Sequence, residues 1–300
     1  MMQRQNGTLG FATLTLLLTL LSGAGAAKDF EGRVPAESGG ELRIDLDSGS
    51  VWIESHSEPE VRVDAVAAGM GVRGFEFELE SRDGRVRLRG HGMGGWLPAL
   101  VGNGPHVRVH VRVPREFSVE VRTTGGEIEL EDLEGDVKLR TSGGRVQVGR
   151  VNGDVEIETS GGPIEVDGVE GRVRARTSGG PIRLTGVEGR VRASTSGGSI
   201  VVLGATERVE AETSGGSIRV RFDDEPGGRL RTSGGSIEVE LPEGEGVRLD
   251  ARTSGGRVEI DPSLSVQGRV EPSKVNAEIG DGGESLRLET SGGDIRIHVR

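Results

Sequence analysis

The word Thr-Thr/Ser-Gly-Gly begins at Thr123, Thr141, Thr159, Thr177, Thr195 and Thr213, each time 18 residues further along, and again at Thr232, Thr253 and Thr290. A fixed short period of this kind excludes most globular architectures, because each unit must make the same contacts as its neighbours. Between the words the pattern is equally regular. Ile164-x-Val166 leads to Gly168-Val169-Glu170-Gly171, then to Val173-x-Ala175-x-Thr177, and the next unit repeats it as Ile182, Leu184, Gly186 to Gly189, Val191, Ala193 and Thr195. Apolar and polar residues alternate within each half, the period of a half-buried β-strand, so each unit is predicted to be strand, turn, strand, turn.

The structural turn residues are Gly125 and Gly126, Gly143 and Gly144, Gly161 and Gly162, Gly179 and Gly180, Gly197 and Gly198, and Gly215 and Gly216. Glycine at both corners is expected to supply the positive φ angles that tight turns need. One unit buries too few small apolar side chains to offset the backbone entropy of ordering it, so stacking is obligatory. Stacking at about 4.8 Å aligns Ile128, Val146, Ile164, Ile182, Ile200 and Ile218 in one internal column and Val137, Val155, Val173, Val191 and Val209 in another. The predicted fold is all-β: a flattened parallel β-solenoid of about 18-residue, two-strand coils, with irregular N-terminal coils. Coils this short leave no room for a lumen. In Val173-Arg174-Ala175-Arg176-Thr177 the threonine shares the inward phase of valine and alanine, so the threonines should form an inward corner ladder, not an ice-binding face.

The chain divides into three parts: residues 1–27 as a signal peptide, 28–122 as an irregular N-terminal β region with a cap, and 123–300 as the regular repeat. Arg4 precedes a leucine-rich run from Leu9 to Leu21, and Ala24-Gly25-Ala26 supplies a small-x-small cleavage pattern, so export is expected, with cleavage after Ala26 or Ala27. There is no cysteine, which excludes both a disulfide framework and a lipid anchor on a modified cysteine. After loss of Arg4, 36 Lys plus Arg remain against 48 Asp plus Glu, a net charge of −12 that argues against nucleic acid as a partner. Upstream strands are expected around residues 41–46, 61–63, 75–79, 86–88 and 106–113, and the Gly-rich stretch 91–105, with Trp96 to Val101, should fold over the open first coil.

The reiterated Thr-Ser-Gly-Gly-x-Ile/Val-x-Val, behind a leader and a Val111-Arg112-Val113-Pro114 lead-in, resembles the bacterial putative adhesin family, domain of unknown function 4097, over roughly residues 40 to 300. The resemblance implies a β-solenoid at the cell surface or in the envelope and brings no catalytic residues with it.

No enzymatic chemistry is predicted. The Gly-Gly pairs open strands instead of helices and so lack the context of a phosphate loop. His56, His91, His106, His110 and His298 are scattered; His106 and His110 could hold zinc only from about 13 Å apart on one strand face. Asp223-Asp224-Glu225 could hold calcium, but no calcium-repeat spacing follows it. No metal, cofactor or catalytic residue is therefore assigned, and a polysaccharide-active enzyme is the least favoured class.

Outward charges on the second strands mostly alternate in sign from rung to rung, as in Lys138 over Glu156 over Arg174. Arg172, Arg174, Arg176, Arg190 and Arg192 break the alternation and form a candidate anion-binding patch. The expected function is an exported, non-catalytic, adhesin-like binding or scaffold module for an envelope polymer or protein. The alternative is a filament that associates end to end, since the chain is expected to stop inside an uncapped last coil at Asp294 to Arg300.

Overall fold

The computed structural model describes residues 27–69, 72–92 and 106–300. The leader up to Ala26 and the Trp96–Val101 stretch lie outside these residues. Two long sheets, of 15 and 14 strands, lie face to face, and the alternating Val, Ile, Leu and Ala side chains of both inner faces form one continuous core.

The centre is a parallel stack in chain order. One sheet is built from Ile128–Leu130, Val146–Val148, Ile164–Glu170, Ile182–Glu188, Ile200–Ala205, Ile218–Phe222 and Ile237–Leu241. The other contains Val137–Arg140, Val155–Glu158, Val173–Arg176, Val191–Ser194, Val209–Thr213 and Gly228–Thr232. Register follows the repeat: Ile164 lies beside Ile182, and Val173 beside Val191. Both predicted internal columns are thus present.

Every Thr of the repeat word is buried, and its hydroxyl explains why the word is conserved along the chain's own repeats. Thr177 Oγ1 donates to the Gly162 carbonyl of the rung beneath at 3.1 Å and accepts from the Gly180 N–H of its own corner at 3.4 Å. The same pair of bonds recurs at Thr195 and Thr213. Most corners are so tied both to themselves and to a neighbour, and among the described residues every threonine hydroxyl of the repeat word has a partner.

The reason for glycine at this corner differs from the expectation. Of the twelve turn glycines named above, only Gly126 has a positive φ, at 107°. The second glycine of each pair is required by close approach: a Cβ on Gly180 would stand 2.1 Å from the Gly162 carbonyl oxygen, and one on Gly162 only 1.9 Å from that of Gly144. The first glycine is less constrained, since a Cβ on Gly179 would meet the Gly161 oxygen at an ordinary 3.5 Å. Positive φ belongs to the opposite corner, where Gly168 and Gly186 have φ of 84° and 60°.

At the ends, spatial order departs from chain order. The rung made of Gly40–Leu46 and Ser50–His56 lies between the first regular rung (Phe117–Thr123 with Ile128–Leu130) and a rung made of Arg85–Gly92 and His106–Pro114. At the other end Ser285–Thr290 and Ile295–Val299 insert between the 228–241 rung and the Val247–Thr253 strand with its partner Val258–Ile260. The predicted irregular first coils are present, as parallel rungs in permuted order with antiparallel strands at their edges. The expected uncapped final coil is also corrected: residues 294–300 occupy an internal rung, and beyond it the second sheet is closed by the antiparallel hairpin of Val266–Glu271 and Lys274–Ile279 while the first ends on Val258–Ile260. Antiparallel strands also close the first end, Ala27–Pro35 on Glu60–Ala68 in one sheet and Phe75–Arg82 on Arg85–Gly92 in the other.

Candidate functional site: a charged groove along one sheet

Strands of the second sheet project alternate side chains outward, and stacking turns each outward position into a column parallel to the long axis. Two neighbouring columns form the walls of a groove of about 1170 Å³. Ser118, Asp136, Asp154, Arg172, Arg190 and Arg208 make one wall, and Glu120, Lys138, Glu156, Arg174, Arg192 and Glu210 the other. The floor is backbone at the inward valines, Val137 to Val191. The first wall continues past Ser118 through Glu41 and Arg85, and eight rungs at the usual strand spacing give the groove a length of roughly 34 Å.

Charge is segregated along this length. Carboxylates dominate the lower rungs, whereas Arg172, Arg174, Arg190, Arg192 and Arg208 gather at the upper end. Four of the five patch arginines thus line the groove; Arg176 stands one column further along the same strand.

Most of these guanidinium groups have partners. Arg172 holds Asp154 through Nη2 at 2.5 Å, and Arg192 holds Glu210 at 2.6 Å. Arg190 is 3.7 Å from Glu207, and Arg176 donates to the Ser194 hydroxyl at 3.2 Å. Hydrogen bonds from Arg172 hold the Asp154 carboxyl below the usual carboxylate range, and Lys138 does the same to Glu156. Arg174 differs. Its strand neighbours in register are Glu156 on one side and Arg192 on the other, Glu156 is taken by Lys138 and Arg140, and among the described residues no carboxylate lies within 4 Å of Arg174. Five like charges on paper reduce to two guanidinium groups without a carboxylate partner, Arg174 in the groove and Arg176 beside it on the Ser194 hydroxyl, flanked by arginines that have carboxylates of their own.

Other candidate residues are dispersed. His110 pairs with Glu54 at 3.0 Å on the first sheet, away from the groove on the second, and His56 Nε2 donates to the Glu60 carbonyl. In the acidic turn, Asp223 pairs with Arg221 and Arg300. Among the described residues no group of three or more His, Cys, Asp or Glu is arranged to hold a metal ion, and no helix is long and apolar enough to cross a membrane.

Stacked two-sheet rungs, an open cross-section and outward charge ladders define an all-β, solenoid-like repeat protein. Within that class, the chain belongs to the Toastrack family, DUF4097, whose model matches residues 39–298. No curated protein matches it. Among solved structures it is similar to a putative adhesin from Bacteroides fragilis NCTC 9343, at 13% identity over 91% of this chain and 97% of that one, with a TM-score of 0.39. It is also similar to a putative lipid binding protein from Parabacteroides distasonis ATCC 8503, at 14% identity over 89% and 96% of the two chains, with a TM-score of 0.45. A putative cell adhesion protein from Clostridium sporogenes ATCC 15579 shares 12% identity over 91% and 100%, with a TM-score of 0.22. These likenesses do not extend to function.

Proposed function

We propose that this is an exported, non-catalytic binding module of the cell envelope, and that the upper half of the groove holds an anionic envelope polymer. The observation that carries the reading is Arg174, a guanidinium without a carboxylate partner in a groove long enough for several residues of an extended chain. Its side-by-side neighbour Arg192 shares one carboxylate, Glu210, with Arg208, so an incoming phosphate, sulfate or carboxylate group would relieve the like-charge contact. Guanidinium forks suit such groups because they donate two parallel hydrogen bonds. The leader sequence supports export, and the groove walls contain no nucleophile beside a general base that would favour an enzyme.

Binding of inorganic polyphosphate and of a uronic-acid polymer to wild type and to Arg174→Ser/Arg192→Ser protein tests this at low and high salt. Wild type should bind at low salt, lose at least tenfold in affinity as salt is raised, and exceed the double variant by a similar factor. Equal binding by a folded double variant would overturn the proposal.

A further inference from the structure

Outside the groove, one aromatic side chain has no structural duty that its burial would explain. Phe30, Phe75, Phe77, Phe117 and Phe222 are buried, and among the described residues Trp52 is the one Phe or Trp ring that is not. Strand alternation accounts for its direction. Val51 and Ile53 face the core, so Trp52 faces outward from the first sheet.

Trp52 stands within a column of outward side chains. Its register neighbours are His110 on one side and Glu129 on the other, and the column continues through Gln147, Glu165 and Arg183. From Glu129 onward this column is one wall of a second, shallower trough of about 460 Å³, whose other wall is Glu131, Gly149, Asp167 and Thr185. Gly149 leaves a gap in that wall where every neighbouring rung carries a side chain. The trough is thus lined by hydrogen-bond acceptors and one amide, and the half-buried Trp52 indole stands one rung beyond Glu129, next to the trough and outside its lining.

We infer that Trp52 and this trough form a binding site for a linear sugar chain without anionic groups. A pyranose ring has an apolar C–H face that stacks on indole and an equatorial rim of hydroxyls that donate hydrogen bonds. Indole supplies a large rigid contact area at little entropic cost, which is why it dominates many binding surfaces. Glu129, Gln147, Glu165 and Asp167 accept from the hydroxyls of successive residues. Sign selects the class: the trough carries Glu129, Glu131, Asp132, Glu165 and Asp167 against Arg115 and Arg183, so it repels the polyanions that the arginine groove attracts. The two sheets would then present different chemistry to a mixed envelope matrix, one to acidic polymer and the other to neutral or amine-bearing sugar chains.

Fluorescence tests this directly. In Trp96→Phe protein Trp52 is the remaining tryptophan, since the chain has two. Titration with oligomers of glucosamine or of N-acetylglucosamine should shift or quench its emission, whereas oligogalacturonate should not. By calorimetry, Trp52→Ala should lose at least tenfold in affinity and Gln147→Ala severalfold, with Arg174→Ser/Arg192→Ser binding as wild type does. Melting curves confirm that the variants are folded; should Trp52→Ala fail to fold, Gln147→Ala and the fluorescence titration decide alone. An unchanged Trp52 spectrum with both neutral and amino sugars, wild-type affinity in folded Trp52→Ala, or an equal response to oligogalacturonate would each overturn the inference.

Discussion

The central rungs and the end rungs use the same strand pair but solve different problems. In the centre, each rung finds its neighbour 18 residues away, so Thr177 reaches Gly162 and the next rung repeats the contact without any long connection. At the ends a parallel strand would expose an open edge, a template for unwanted pairing. There the chain doubles back: an early rung, 40–56, and a late rung, 285–299, are each paired on both sides, and antiparallel strands are left outermost at three of the four sheet edges, the parallel strand Val258–Ile260 at the fourth. The two ends differ in turn. Phe30 from one sheet meets Phe77 from the other at 5.5 Å, with Phe75 5.1 Å from Phe77, a ring cluster that seals the core. The opposite end has no aromatic ring among the described residues: Val275, Ala277 and Ile279 are buried there, Val258, Ile260, Leu264 and Val266 only partly, and Val270 is 57% exposed. Regular rungs are cheap to repeat; ending them requires non-local pairing and large side chains.

Truncation breaks this comparison most severely. Removing residues 285–300 takes out an internal rung, so the strands 228–241 and 247–260 lose their common partner. Loss of the cooperative melt and insolubility are expected, whereas a chain ending in a true terminal coil would lose only the stability of one rung; a soluble truncated protein with a modestly lowered Tm would refute the insertion.

The next effect lies in the centre. Gly180→Ala forces a Cβ against the Gly162 carbonyl and should cost about 3 kcal/mol or more, while Gly179→Ala should cost about 1 kcal/mol or less. Denaturant melts of the two variants give the difference, and equal midpoints would show that the corners are not stacked as described.

The smallest effect is electrostatic. Asp154, Glu156 and Glu289 are held below the usual carboxylate range, chiefly by hydrogen bonds from Arg172, Lys138 and Arg229 respectively. A depressed folded-state pKa contributes stability that is complete above the unfolded value and is lost as pH falls through the folded one. Tm should therefore decline below about pH 4, where free carboxylates begin to protonate. Glu156→Gln should shallow that decline slightly and leave Tm at neutral pH a little lower, because partly exposed ladder pairs are individually weak.

Much of this was legible in the repeat. The 18-residue period with alternating apolar residues gave the strands, both internal columns and the inward threonines, since register follows directly when identical rungs stack. The five arginines of the patch were also visible as a break in charge alternation, although the sequence could not say that Asp154 and Glu210 neutralise two of them while Arg174 stays free. The strands Ala27–Pro35, Ser50–His56 and Val266–Glu271 gave no period to follow, and with them Trp52 went unread.

What the amino-acid sequence determined by itself was the rung: its length, its inward and outward faces, and the threonine and glycines of its corner, all properties of contacts between near neighbours. What only the tertiary structure decided was the order of rungs at the ends and which outward charges are left over. Interchangeable rungs carry almost no information about who stacks on whom, so the permuted ends are set by the global need to cover open edges, and the free guanidinium by how long side chains settle once their columns exist.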